Sequence, residues 1–160
     1  MRRLLLAVVA VTLLGALPFM ITEPSAQQPG HVVAMPDTLK WVEPATLPGA
    51  RLAVLQGDPS KEGLFVYRLK MPANYKVPPH LHKASENVTV LAGVFHIGLG
   101  EKFDQVSGQE LPVGGFVSIP PNHAHFAWAG TQETLVQVHG VGPTDLRFVN
   151  PADDPRNKPK

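Results

Sequence analysis

Asn74-Tyr-Lys-Val-Pro-Pro-His80-Leu-His82-Lys-Ala-Ser-Glu86-Asn-Val-Thr-Val-Leu-Ala-Gly93 is the stretch on which the reading of this 160-residue chain turns. His80 and His82 are two residues apart, so in an extended segment both imidazoles leave the same face and can share one ion. Pro78 and Pro79 favour an extended backbone on the approach. Glu86, past a short Lys-Ala-Ser turn, can fold back to offer a carboxylate oxygen. A fourth donor stands at His125, in Pro120-Pro121-Asn122-His123-Ala124-His125, a second segment that follows a proline-marked bend. A His-x-His pair alone more often fills a polar strand face than binds a metal. The donors around this one point to an ion held between two separated strands.

Written as spacing, the first stretch is Asn74, five residues, His80-x-His82, three residues, Glu86, six residues, Gly93; the second is Gly114, five residues, Pro120-x-Asn122-x-x-His125. This resembles the two consensus motifs of the cupin superfamily, over about residues 52–149. The resemblance implies a single double-stranded β-helix, or jelly-roll, barrel of the small monocupin type. It also implies one divalent ion held by His80, His82, Glu86 and His125. His123 competes with His125 for the fourth place, and only His125 fits the superfamily spacing. Three positions depart from the pattern. Asn74 and Asn122 stand where cupins usually have glycine, and asparagine best tolerates a left-handed backbone when glycine is absent. Ala129 stands where the second motif often carries a late Asn that is not a metal ligand, so the metal site is untouched.

Composition agrees with an all-β chain. Seventeen prolines and fourteen glycines, mixed with Val-rich runs, leave few uninterrupted windows for an amphipathic helix. The length suits one domain with tails and a real core. With no cysteine there is no disulfide framework, thiolate zinc site or thiol nucleophile, and any metal is held by nitrogen and oxygen.

Met1-Arg2-Arg3, the apolar run from Leu4 to Phe19 and a polar stretch ending at Ala26 have the order of a signal peptide. Leu4 to Thr22 is also just long enough to serve as an uncleaved anchor. Pro24 makes the cleavage point after Ala26 uncertain, and cleavage is preferred. Either way the domain is expected outside the cytoplasmic membrane, periplasmic or secreted, by the general secretion route. Removing Arg2, Arg3 and Glu23 leaves 12 basic and 12 acidic residues. That balance, without any basic patch carrying interleaved aromatics, excludes a nucleic-acid partner. The expected partner is a small-molecule substrate or ligand. A membrane partner enters only through an uncleaved leader, and a homodimer stays open.

The expected organisation is a leader or anchor over 1–26, a linker over 27–39 containing a solvated His31, a barrel over 40–150 and a loose or surface-laid tail over 151–160. Strands are expected near Lys40-Trp41-Val42, over 51–55 and over 64–71, the last two paired across a turn at 57–63. Further strands are expected over 87–91 and 94–99 about a bend at Ala92-Gly93, and over 116–119, 134–139 and 146–149, with a polar loop over 100–108. On the strand over 134–139, Gln137 and His139 share one side and Val136 and Val138 the other. The polar pair faces the lumen or a solvated edge, and periodicity does not choose. His96 reads as a satisfied strand histidine.

Three imidazoles and a carboxylate leave one or two positions open on an ion that prefers five or six ligands, which favours chemistry over a structural ion. There is no Ser-His-Asp order, phosphate loop or catalytic carboxylate pair, so the ion would carry the reaction. Its identity among iron, manganese, zinc, copper and nickel is not legible. The resemblance implies an oxygenase, isomerase or lyase, with a dioxygenase-like oxidoreductase favoured; Glu86 is the expected catalytic residue, since a carboxylate that lets go of the metal can also accept a proton from a substrate. It equally allows a non-catalytic module that binds metal or ligand. An enzyme needs an apolar pocket over the open positions, and Phe65, Phe95, Phe126 and Trp128 are the candidates to line it, with Gln137 and His139 as polar additions.

Overall fold

The structure, a computed structural model, describes residues 30–158. The chain falls into two units, residues 1–31 and 32–160, and the fold concerns the second. The expected leader over 1–26 and the first residues of the expected linker lie outside the described residues.

Among the described residues ten strands run in chain order: β1 (Arg51–Gln56), β2 (Gly63–Met71), β3 (Lys76–Leu81), β4 (Glu86–Ala92), β5 (Phe95–Leu99), β6 (Gln109–Leu111), β7 (Phe116–Ile119), β8 (His125–Ala129), β9 (Thr134–Gly142) and β10 (Arg147–Phe148). They form two five-stranded sheets, ordered β1-β2-β9-β4-β7 and β10-β3-β8-β5-β6, with every pairing antiparallel. This is the all-β jelly-roll expected from the sequence. β1 and β2 pair across the 57–63 turn, and Val42 adds one bridge to Leu52. The bend at Ala92-Gly93 does not make a hairpin: β4 and β5 lie in different sheets, and Gly93, at φ +72°, turns the chain from one to the other. A side chain there would also meet the Glu133 carbonyl oxygen at 2.5 Å, so glycine is required twice over.

The core lies between the sheets. Phe65, Leu69 and Met71 from β2, Val88 and Val90 from β4 and Val136 and Val138 from β9 face Val77, Phe95, Ile97, Ala127 and Ala129 of the other sheet. Alternation sets the outward face of the first sheet. Arg68 and Lys70 on β2 and Gln137 and His139 on β9 are half-buried there, with Arg68 Nε donating to Gln137 Oε1 at 3.4 Å.

β8 breaks the usual pattern because all five of its residues are buried. Its odd-numbered residues face the core. Phe126 and Trp128 pack on the outer face beneath the 100–108 loop, whose Phe103 lies 5.0 Å from Phe126 and 5.8 Å from Trp128 between ring centroids. His96 of β5 completes this second cluster, stacked on Trp128 at 4.7 Å. Gly98 and Gly108 make room for it, since a Cβ on either would fall 2.1 Å from the Phe126 or Trp128 ring. The loop that reads as polar in sequence therefore covers aromatic surface. The segment expected as a loose or surface-laid tail folds, as far as residue 158, into two 3-10 turns capped by the Asn150 and Asp154 side chains. Arg156 Nη2 also donates to the Leu146 carbonyl at 3.3 Å.

Candidate metal centre

The site is built where β3, β4 and β8 meet. Along β3 the pairing with β8 runs Val77 to Ala127 and then slips before His80 opposes His125. The slip falls at Pro78-Pro79, which have no N–H to donate, and the bulge lets Val77 and His80 both face inward though they are three apart. His82 follows immediately after β3. Glu86 opens β4, which belongs to the other sheet, so the site clamps the two sheets together. Asn74 and Asn122 take left-handed conformations, at φ 60° and 58°, in the turns that lead to these segments. The Asn122 amide then donates to the His82 carbonyl at 2.7 Å, and its Oδ1 accepts from Arg147 Nη2 at 2.7 Å.

One ligand atom from each of His80, His82, Glu86 and His125 lies within 4.8 Å of the others. The three imidazole centroids are 4.2, 5.0 and 5.3 Å apart. Each histidine is fixed from behind by a backbone carbonyl: His80 Nδ1 donates to Pro78 at 2.8 Å, His125 Nδ1 to His123 at 2.9 Å, and His82 Nδ1 to Asp145. A carbonyl can only accept, so in the neutral rings the proton sits on Nδ1 and the lone pair on Nε2. The Nε2 atoms of His82 and His125 are buried without a hydrogen-bond partner. They lie 3.5 and 3.3 Å from Glu86 Oε2. His123, the competitor for the fourth place, contributes its backbone carbonyl and is not in the cluster.

Electrostatics give the same reading. Burial, reinforced by His125 and His82, lowers the His80 pKa to about 3, so this ring is neutral at any ordinary pH. Burial acts to raise the Glu86 carboxyl, yet His125 and His82 outweigh it and hold the group well below the usual carboxylate range. For His82 burial acts downward, and Glu86 and the Asp145 carbonyl overcome it to leave a net upward shift. A buried carboxylate with, among the described residues, no Lys or Arg paired to it and two orphaned imidazole nitrogens facing it is costly as it stands. One divalent cation would satisfy all of them, and an oxygen and three imidazole nitrogens suit such an ion. The residues present therefore fit a metal.

A cavity of about 50 Å³ opens over the four donors, lined chiefly by aliphatic side chains such as Leu69, Met71, Val88 and Val138. Of the six residues expected to line a pocket, the structure brings only Phe95 to it. Phe126 and Trp128 face outward beneath the loop carrying Phe103. Gln137 and His139 face away because Val136 and Val138, each 1% exposed, take the inward side of β9. Phe65 shares the inward face of β2 but lies beyond the lining, stacked on Tyr67 at 5.8 Å.

Tyr67 is a polar pocket residue that sequence reasoning missed. Burial first, and then the charge of Glu86, hold its hydroxyl pKa well above the ordinary value, so it is a neutral phenol. The alternation of Phe65, Tyr67, Leu69 and Met71 against Arg68 and Lys70 was a legible signal for its inward direction. Asp145, whose carbonyl orients His82 and whose Oδ1 accepts from the Lys83 amide at 2.9 Å, had no such signal.

Comparison with known proteins bears on the same segment. The family model for the ChrR cupin-like domain matches residues 29–145. No curated protein sequence matches the chain. Among solved structures, the polyketide cyclase RemF from Streptomyces resistomycificus is similar at 21% identity, over 79% of this chain and 90% of that one, with a TM-score of 0.64. An RmlC-like cupin from Shewanella frigidimarina NCIMB 400 is 16% identical over 72% of this chain and 93% of its own, at 0.56. An oxalate oxidase is 17% identical over 79% of this chain and 68% of its own, also at 0.56.

Proposed function

Given that this chain belongs to the family of ChrR cupin-like domains, we propose that it is an exported, divalent-metal-dependent enzyme of oxygenase type acting on a small organic molecule. The observation that carries this is the buried quartet His80, His82, Glu86 and His125, whose Nε2 and carboxylate atoms converge on the floor of an apolar cavity. A structural ion needs a closed set of ligands and no cavity. A catalytic one needs room beside it and walls that exclude water. A cyclase and an oxidase stand among the similar folds, so fold alone selects no reaction and the class must come from the site.

A divalent ion held here supplies Lewis acidity, and a redox-active one also supplies electrons for dioxygen chemistry. The chain's own residues do the rest. The carbonyls of Pro78, His123 and Asp145 hold the three rings by Nδ1, so each Nε2 keeps its direction. Glu86, the one anionic donor, can accept a proton from an incoming substrate. The Tyr67 hydroxyl, kept neutral, can donate a hydrogen bond to oxygen on a bound molecule. The aliphatic lining removes water that would compete for either role.

The test is metal loading followed by an oxygen-consumption and turnover screen against aromatic and dicarbonyl compounds, with iron, manganese, copper, nickel and zinc forms in parallel. Turnover with a redox-active ion and none with zinc is the expected result. Absence of turnover with every redox ion would favour the non-catalytic binding module. Zinc-only turnover would move the reading to hydrolytic chemistry.

A further inference from the structure

The inner cavity does not end at the donors. A second cavity of about 200 Å³ adjoins it and shares Leu47, Tyr67, Leu69, His82 and Leu146 with it. These five shared residues form a waist between an inner chamber floored by the four donors and a larger outer one between residues 44–52 and the 144–146 segment.

The two chambers are unusual in their charge. No Lys or Arg lines either one among the described residues. The formal charges that do line them are both negative, Glu86 inside and Asp145 outside. Arg147, two residues beyond Asp145, is already engaged. Its Nε lies 3.2 Å from Asp145 Oδ2 and its Nη2 donates to Asn122 Oδ1 at 2.7 Å. The neutral polar groups on offer are the hydroxyls of Tyr67 at the waist and Thr46 and Thr144 outside. An anionic group on a bound molecule would therefore have a partner only at the inner floor, once a cation offsets Glu86. Anywhere else it would be stripped of water against leucines and beside a carboxylate.

From this arrangement we propose that the site takes molecules with their single anionic or oxygen-donor end at the four-donor floor and an uncharged, mainly apolar body through the waist. Dicarboxylates and other molecules charged at both ends are excluded. The inference rests on the metal reading, because without a cation Glu86 would repel the anionic end as well. It adds the substrate class, which the donor set by itself does not specify.

Butyrate and succinate test it, being four-carbon chains that differ in whether the far end is a methyl or a carboxylate. Zinc content of the purified, zinc-loaded protein is measured first, and the two acids are then titrated into it by calorimetry. Butyrate is expected to bind at least tenfold more tightly than succinate, and neither to bind the metal-free protein. Leu146→Lys, which puts a cation at the waist on a half-buried loop position, is expected to bring succinate level with butyrate or past it. Thr46→Lys is the substitute if that variant does not fold. Equal or tighter succinate binding by the unmodified zinc protein, or no binding of either acid, overturns the inference and leaves the metal reading standing. Failure of the metal reading shows separately, as a protein that holds no zinc at the first step.

Discussion

Gly98→Ala is a single-methyl test of where Phe126 points. Gly98 is the register partner of Phe126 across β5 and β8, and a Cβ there would fall 2.1 Å from Phe126 Cζ and 2.3 Å from Cε2. At these distances something must move. The ring is fully buried between Phe103 at 5.0 Å and Trp128 at 6.1 Å, so it cannot retreat without disturbing both. Gly98 is not in the left-handed region, so the alanine backbone is unstrained and would by itself stabilise by about 0.4–1 kcal/mol. Overpacking works against this and costs about 1–3 kcal/mol, so a net loss is expected. For a domain of this size that is a Tm lowered by roughly 2–10 °C. The strained face is opposite the one carrying His125, so metal stoichiometry should hold. Thermal unfolding by circular dichroism and metal analysis on the same sample read both quantities. An unchanged or raised Tm would show that the ring does not rest on Gly98. A lost metal with an unchanged Tm would place Phe126 in the metal cavity.

Four further outcomes are expected. His125→Ala should lose most bound metal and His123→Ala should keep it, since His123 contributes only its carbonyl; the reverse pattern in metal content would mean the wrong histidine has been assigned. Glu86→Gln should retain a measurable share of metal, held by the three imidazoles, and lose any turnover found; unchanged turnover would remove the proton-acceptor role. Metal affinity should rise with pH through the His82 titration, which lies above the ordinary 6.5, and then level off, because protons compete for Nε2 below that point. Cell fractionation should recover the domain outside the cytoplasmic membrane, on the strength of the charge, apolar run and small residue at the start of the chain; full-length protein recovered only in the cytosol would refute export.

Much of the candidate site was legible in the sequence because its four donors stand in two short motifs, over residues 74–93 and 114–125. His80 and His82 share a face by strand geometry, two prolines hold the approach extended, and asparagine at 74 and 122 marks the two left-handed turns. Most strand positions were legible too, since glycine and proline bound most of the extended runs, although Pro78-Pro79 lie inside β3 and Gly98 inside β5. The identity of the pocket wall was not. Period two says which residues share a face, but not which face is inside. On β8 it said more than first appears: once His125 points to the metal, Phe126 and Trp128 must point away, and hydrophobicity hid this because both faces of that strand are buried.

By itself, then, the amino-acid order determined the all-β class, the turn positions and the residue types able to gather around an ion. Only the tertiary structure decided that the 100–108 loop covers the outer aromatic cluster and that valines rather than Gln137 and His139 line the lumen. It also decided that Tyr67, Leu47 and Leu146, from segments up to about a hundred residues apart, close around the donors. The physical reason is one of range. Backbone preferences act over a few residues and are written where they act. The inside of a barrel is defined by which faces of distant strands can bury the most apolar area against one another, and no single segment carries that comparison.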